Sequence, residues 1–350
     1  MKELDGLTVL DLTRLLPGGV ASAWMVEHGA RVIKVEQPGS GDYARTMNWP
    51  VFSRTNAGKQ SVAVDLKNPR GREAFLQLAE RADVLMEGFR PGVMARLKLS
   101  FHDLKSALPR LIYISLTGYG QTGPYSDLAG HDINYMALGG VLGLNLPVIP
   151  GVQIADLVGG SMHVVQGLLL ALLARQATGV GRHVDVSMTQ GVTSLLTVPL
   201  ASFYETGQEP ATGVGRLGGS LACYNLYQAG DGRWLAVGAL EPKFWSALCT
   251  RLGCTELIPL LYGDDEAQRR SKARLSEIFQ TKPAEAWFEE LRSEDCCVTP
   301  VRTVGEVAGE NPQPPLASPP QLGQHTRQVL AESGLAESAI DELLREGAIA

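Results

Sequence analysis

Residues 7–12 (LTVLDL) and 31–36 (RVIKVE), with a helical repeat over 20–28 between them, constrain this chain more than any other feature. Each run is short, apolar and rich in branched side chains, as a buried strand is. Pro17-Gly18-Gly19 reads as the turn between strand and helix, and Gly29 suits the residue that closes a helix. Strand, helix and strand in this order call for a parallel pair joined by a right-handed crossover. The alternation continues. Residues 61–66 (SVAVDL), 83–87 (DVLME), 111–116 (LIYISL) and 183–188 (HVDVSM) read as further strands, with helices over 70–81 and 161–176. The expected fold class is α/β, a Rossmann-like large domain with a parallel sheet over residues 1–195.

Such a sheet binds ligands in the loops at the carboxyl ends of its strands. Here those loops carry glycine with cationic or aromatic residues: 56–59 (NAGK), 88–92 (GFRPG) and 117–120 (TGYG). The turn after the first strand lacks the G-x-G-x-x-G fingerprint, and no Walker A loop is present, so dinucleotide binding has little support.

At 350 residues the chain is too long for one small core. Residues 196–220 are dense in glycine and read as a linker. The texture then changes. Residues 221–228 and 233–240 alternate around Gly230-Asp231-Gly232, a hairpin signal. Pro242 suits the first turn of a helix that stops at Gly253. A small α+β domain is expected over 221–300, with 301–350 returning to the large domain through an extended, Pro-rich stretch at 311–320.

With 45% hydrophobic and 19% charged residues the chain has material for sizeable cores and no signature of disorder. The net charge of −6 argues against general nucleic-acid binding. It is uneven, +3 over residues 1–105 and −9 over the rest, which suits a small anionic ligand near the N-terminal third. Five cysteines form no CxxC pair, so no metal is expected, and reduced thiols in a cytoplasm fit best. MKELDG has no apolar core for a secretory signal. The longest uninterrupted apolar run, 168–174, is far short of a membrane span, and the helix around it reads as buried.

Two residues 25 positions apart carry the chemistry. His131 opens the helical segment of GHDINY, and imidazole titrates near neutrality. Asp156 sits ahead of a helix expected to start at 159–161, where it serves either as a helix-entry carboxylate or beside N–H groups that could face a developing oxyanion. Glu241, before Pro242, has the same ambiguity.

DLTRLLPGGVAS, HGARVIKVEQPGSGDYAR, ADVLMEGFRPGVMARL, LIYISLTGYGQTGPY, GHDINYMALGGVL and CYNLYQAGDGRWLAVGALEPKFW resemble the family III CoA-transferase superfamily, and within it the α-methylacyl-CoA racemases. The resemblance covers nearly the whole chain. It implies a two-base inversion of the α-carbon of a 2-methylacyl-CoA, with His131 and Asp156 exchanging a proton with an enolate and Glu241 orienting His131. N–H groups near Asp156 would stabilise the enolate oxygen. Arg90 is the expected phosphate contact, with Arg45, Asn56, Ala57 and Lys59 following from the matching segments, and Asp132 and Tyr135 lining the pocket. It further implies an interlocked homodimer in lipid metabolism, with no cofactor beyond the CoA moiety. Two stretches differ from the racemases. Residues 135–156 are shorter, and 311–320 are unusual, which affects the acyl pocket more than the reaction type. The first alternative is CoA transfer with Asp156 as nucleophile. A nicotinamide-dependent oxidoreductase and a CoA-binding protein without catalysis are the others.

Overall fold

The computed structural model describes residues 2–47, 49–209, 215–310, 312 and 318–350. The chain divides into two compact units. One comprises 1–143, 147–200 and 315–350, and the other 144–146 and 201–314.

In the first unit six strands form one parallel sheet: β1 (Thr8–Asp11), β2 (Arg31–Glu36), β3 (Gln60–Ala63), β4 (Val84–Glu87), β5 (Ile112–Thr117) and β6 (His183–Ser187). Their order is β3-β2-β1-β4-β5-β6, so the chain reverses direction across the sheet between β1 and β4. Both faces are covered, which is why the strands read as near-continuous apolar runs. On one face Leu10, Ile33, Leu85 and Tyr113 pack against Phe75, Leu78, Leu330 and Leu343. On the other Val9, Val32, Met86 and Ile114 meet Met25, Tyr135, Ala155 and Leu168. The C-terminal residues close on the β3 edge: Ala350 N–H donates to Ala63 O at 3.1 Å, and the Thr326 hydroxyl to Ala350 O at 2.6 Å.

Three helical expectations differ. The first helix is Leu15–Glu27, so Pro17-Gly18-Gly19 lies inside the helix, with Pro17 in its first turn. Proline is tolerated there because those N–H groups have no intrahelical acceptor. The segment expected as a linker carries the helix Thr197–Thr206, whose apolar sequence outweighs the glycines that follow it, while 210–214 lie outside the described residues. The expected helix 161–176 begins earlier, in a wide π-type turn over Ala155–Met162, and continues as His163–Thr178. By length and composition these 24 residues could cross a membrane. They are not buried all round: Val164, Leu168 and Ala171 face the sheet, whereas Leu169, Leu170 and Leu173 are exposed.

The second unit holds an antiparallel sheet of β7 (Tyr224–Gln228), β8 (Trp234–Gly238) and β9 (Val298–Pro300), in that order. Helices Pro242–Arg251, Asp265–Phe279 and Ala284–Leu291 cover it. Trp245 and Trp287 are buried in its core, and their indole N–H groups donate to Leu257 O and Phe279 O. Each such burial contributes on the order of 2 kcal/mol. The five cysteines are free thiols. Of the Pro-rich stretch 311–320, residues 311 and 313–317 lie outside the described residues.

Candidate active site

The loops after β1, β4 and β5 converge at the carboxyl edge of the sheet, with the helix Asp132–Leu138 and the turn Ala155–Met162 beside them. They enclose a cavity of about 550 Å³ lined by Arg14, Leu15, Phe89, Arg90, His131, Tyr135 and Asp156, among others.

His131 is the residue before the helix Asp132–Leu138, and its own N–H donates to Asn134 Oδ1 at 3.1 Å. This reciprocal bond at the helix start fixes the backbone that carries the exposed imidazole. Tyr135, one turn on, is buried, and its hydroxyl donates back to Gly130 O. A side chain at Gly130 or Gly118 would collide with the Tyr135 ring, so the glycine that opens GHDINY is a steric requirement of its tyrosine.

Asp156 lies in the first turn of the π-type segment, not ahead of a helix at 159–161. The Gly159-Gly160 pair that suggested a helix start is a packing contact instead. A Cβ at Gly159 would stand 2.4 Å from Met188 O, and one at Gly160 would meet Pro17 and Met188. Wide turns of this kind mark functional positions in helices. The Asp156 N–H donates to Asp132 Oδ1 at 3.0 Å, so it is committed within the chain. Burial pushes the Asp156 carboxyl up to about 6; Asp132 adds to this and His131 opposes it. A carboxyl at that value can both give and take a proton near neutrality.

Of the expected CoA contacts, Arg90 lines the cavity and Asp132 anchors the turn that carries Asp156. The structure does not bring Arg45, Asn56, Ala57 or Lys59 to it. Lys59 is 4% exposed; its ammonium donates to Ser22 Oγ at 2.6 Å and Asn56 Oδ1 at 2.9 Å, and pairs with Asp11 at 3.2 Å. Burial favours the neutral Asp11 carboxyl, but Lys59 and Lys34, with the hydroxyls of Ser22 and Thr13, outweigh it and hold the pKa at about 2. The Arg45 guanidinium grips Glu36 through two nitrogens, at 2.8 and 2.7 Å, and lies over the Phe52 ring. These cations brace the fold beneath the loops. Glu241, exposed, precedes Pro242–Arg251 in the second unit and makes no side-chain cap bond there.

Two lining residues escaped the sequence reading. Arg14 stacks over Tyr43 and Phe89 and lines both this cavity and a neighbouring one of about 500 Å³, whose walls include Val35, Val64, Leu66 and Arg96. Its position just past β1, at the carboxyl end of a parallel strand, was the available signal. Leu15 holds a left-handed backbone at φ +63°, an unfavourable conformation for leucine. Its N–H donates to Asp42 Oδ1 at 3.1 Å, and Asp42 is in turn ion-paired with buried Lys34 at 2.9 Å. Nothing local in the sequence announces that arrangement.

Residues 4–315 match CoA-transferase family III. The human α-methylacyl-CoA racemase is 35% identical, the match spanning 97% of this chain and 96% of that protein. Acetyl-CoA:oxalate CoA-transferase of Acetobacter aceti is also 35% identical, over 87% of this chain and 82% of its own. Among solved structures, a CAIB/BAIF family protein from Brucella suis superposes with a TM-score of 0.81 at 27% identity, covering 95% of this chain and 99% of that one. A hypothetical protein from Mycobacterium tuberculosis gives 0.78 at 29% identity, over 93% and 98%.

Proposed function

The chain belongs to CoA-transferase family III, and within that family we propose that it inverts the α-carbon of 2-methylacyl-CoA thioesters by two-base 1,1-proton transfer. The observation that carries this reading is the placement of His131 and Asp156 on one cavity, with the Asp156 carboxyl pushed up to about 6. A thioester acidifies its α-hydrogen. One group takes that proton to give an enolate, and the other returns a proton to the opposite face. The roles exchange for the opposite enantiomer. The chemistry asks for no group beyond the CoA moiety of the substrate.

Arg90, at the rim, is the phosphate contact in this reading, and Arg14 joins it where the two cavities meet. The neighbouring cavity, apolar at Val35, Val64 and Leu66 with Arg96 at its wall, suits an adenine nucleotide. Glu241 is expected to orient His131 from the second copy of an interlocked homodimer, and the exposed Leu169, Leu170 and Leu173 are consistent with a partner.

The test is incubation of a chiral 2-methylacyl-CoA in D₂O without any free acid. Deuterium at the α-carbon together with loss of optical purity supports inversion; an absolute requirement for an acceptor acid sinks it. CoA transfer with Asp156 as nucleophile is the second reading, kept because a transferase is as similar to this chain as a racemase is. There Asp156 would attack the thioester carbonyl to form an anhydride and release CoA thiolate, which would then attack the Asp156 carbonyl, expelling the donor's carboxylate and leaving CoA as a thioester on the enzyme.

A further inference from the structure

Glu87 ends β4 at 3% exposure, and the chemistry above makes no use of it. Its Oε2 accepts the Phe89 N–H at 2.8 Å. Ser115 faces it across the β4–β5 pairing, its hydroxyl lowering the carboxyl's pKa. The same Ser115 hydroxyl meets His183 Nε2 at 2.9 Å. Asp185 faces Ser115 on β6 and accepts the Gln121 N–H at 3.1 Å. Glu87, Ser115 and Asp185 thus form a polar row across adjacent strands.

Strand alternation assigns this row a side. Glu87 and Ser115 share the sheet face of Leu85 and Tyr113, whereas Met86 and Ile114 face Tyr135 and Ala155. The row therefore lies behind the sheet as seen from the catalytic helices. It borders a cavity of about 340 Å³ with Tyr113, His102 and Arg90. The turn from Gly88 to Pro91 crosses the carboxyl edge of the sheet between the two sides. Phe89 walls the catalytic and neighbouring cavities, and Arg90 walls the catalytic cavity and this rear one.

Among the described residues Glu87 has no ion-pair partner. Burial, with Asp185 adding, raises its carboxyl to about 7, opposed by the facing Ser115 hydroxyl and the Phe89 N–H. A carboxyl in that setting is a costly way to fill space, since an apolar side chain of equal volume would pack there without desolvating a polar group. What it contributes is an acceptor aimed at the one backbone N–H next to Arg90.

We propose that Glu87 is a positioning residue for acyl-CoA binding, holding the Gly88–Pro91 turn from behind the sheet so that Arg90 meets the CoA phosphates. This rests on the reading of Arg90 as a phosphate contact. Bound directly, a carboxyl at Glu87 could reach no ligand in the catalytic cavity, so its effect passes through the turn.

The experiment is calorimetric titration of free CoA into the wild type, Glu87→Ala, Glu87→Gln, Arg90→Ala and the Glu87→Ala/Arg90→Ala double variant. Glu87→Met, of similar length but without an oxygen acceptor, replaces the alanine variant if that one is unstable. Loss of the acceptor weakens CoA binding about tenfold, and Glu87→Gln, whose amide oxygen still accepts the Phe89 N–H, restores it. The double variant binds no more weakly than Arg90→Ala alone, because both changes remove one contact. In turnover the loss appears in KM more than in kcat. Wild-type affinity in Glu87→Ala or Glu87→Met overturns the inference, as do losses that multiply in the double variant. Wild-type affinity in Arg90→Ala overturns the phosphate reading and this inference with it. A wild type that does not bind CoA overturns the proposed function itself.

Discussion

The Asp132 carboxylate accepts the backbone N–H of Asp156 at 3.0 Å, tying the residue next to His131 to the turn that carries Asp156. One bond thereby locks His131 and Asp156 onto a common frame. Asp132 also acts through space, as a like charge that raises the Asp156 carboxyl.

Asp132→Asn separates these two effects. The amide oxygen still accepts the Asp156 N–H, but the like charge is gone. Burial alone then keeps the Asp156 pKa above its ordinary 3.8 but below the present value of about 6. The acid limb of the pH profile of kcat/KM moves to lower pH, with kcat at the optimum changed less than tenfold. An unmoved limb shows that Asp132 does not tune Asp156.

The pH profile also separates inversion from transfer. Inversion needs one proton shared between His131 and Asp156, on one group for each enantiomer. Both productive forms carry the same number of protons, so kcat/KM for the two enantiomers follows the same bell. It falls on the acid side as the pair takes a second proton and on the alkaline side as it loses its last. A nucleophilic Asp156 needs only the carboxylate, so its rate rises through about pH 6 with no alkaline limb from this pair. Initial rates from pH 5 to 9 with each enantiomer decide the matter.

Lys59→Ala is expected to act on stability. It leaves Asp11 buried with Lys34 as its remaining cation, at a cost of about 3 kcal/mol. The sign with pH follows from the depressed Asp11 pKa. Its stabilisation is complete above the ordinary 3.8 and is lost as pH falls through about 2, so the gap in melting temperature between wild type and variant is widest near neutrality and narrows in acid. Thermal melts from pH 2 to 7 measure both effects. A normal melting temperature with a large rise in KM would instead return Lys59 to the phosphates.

Gly159→Ala and Gly160→Ala should differ. At 159 the added methyl would press on the backbone oxygen of Met188 at 2.4 Å, which cannot yield without moving the helix Met188–Thr193. Overpacking of this kind costs about 1–3 kcal/mol and displaces the Asp156 turn. At 160 the nearest atoms, 3.1–3.2 Å away, belong largely to the flexible Met188 side chain, which can shift. Gly159→Ala should lower both the melting temperature and α-proton exchange. Equal behaviour of the two variants would rule out this account of the turn.

Several elements were legible because their cause is local. The six apolar runs became six parallel strands because both faces of each are buried, leaving a continuous signal in the chain. Pro242 at the first turn of Pro242–Arg251 and the left-handed Gly253 after it follow from backbone sterics alone. GHDINY pointed to the site because its glycine, histidine and tyrosine meet within two helical turns.

What was not legible shares one origin. A cation in a loop, such as Lys59 or Arg45, carries no mark of whether a distant carboxylate will claim it. Asp11 and Glu36, 48 and 9 positions away, did so. Gly159-Gly160 looked like a helix start because a close approach to Met188 and Gly191 depends on residues about 30 positions on. The amino-acid order by itself determined which segments form strands and helices, since those depend on periodicity and on the conformational range of single residues. Which charges are buried, which N–H groups stay committed and which side chains share a cavity were decided by tertiary structure alone, because desolvation and pairing arise only when distant segments exclude water from between them.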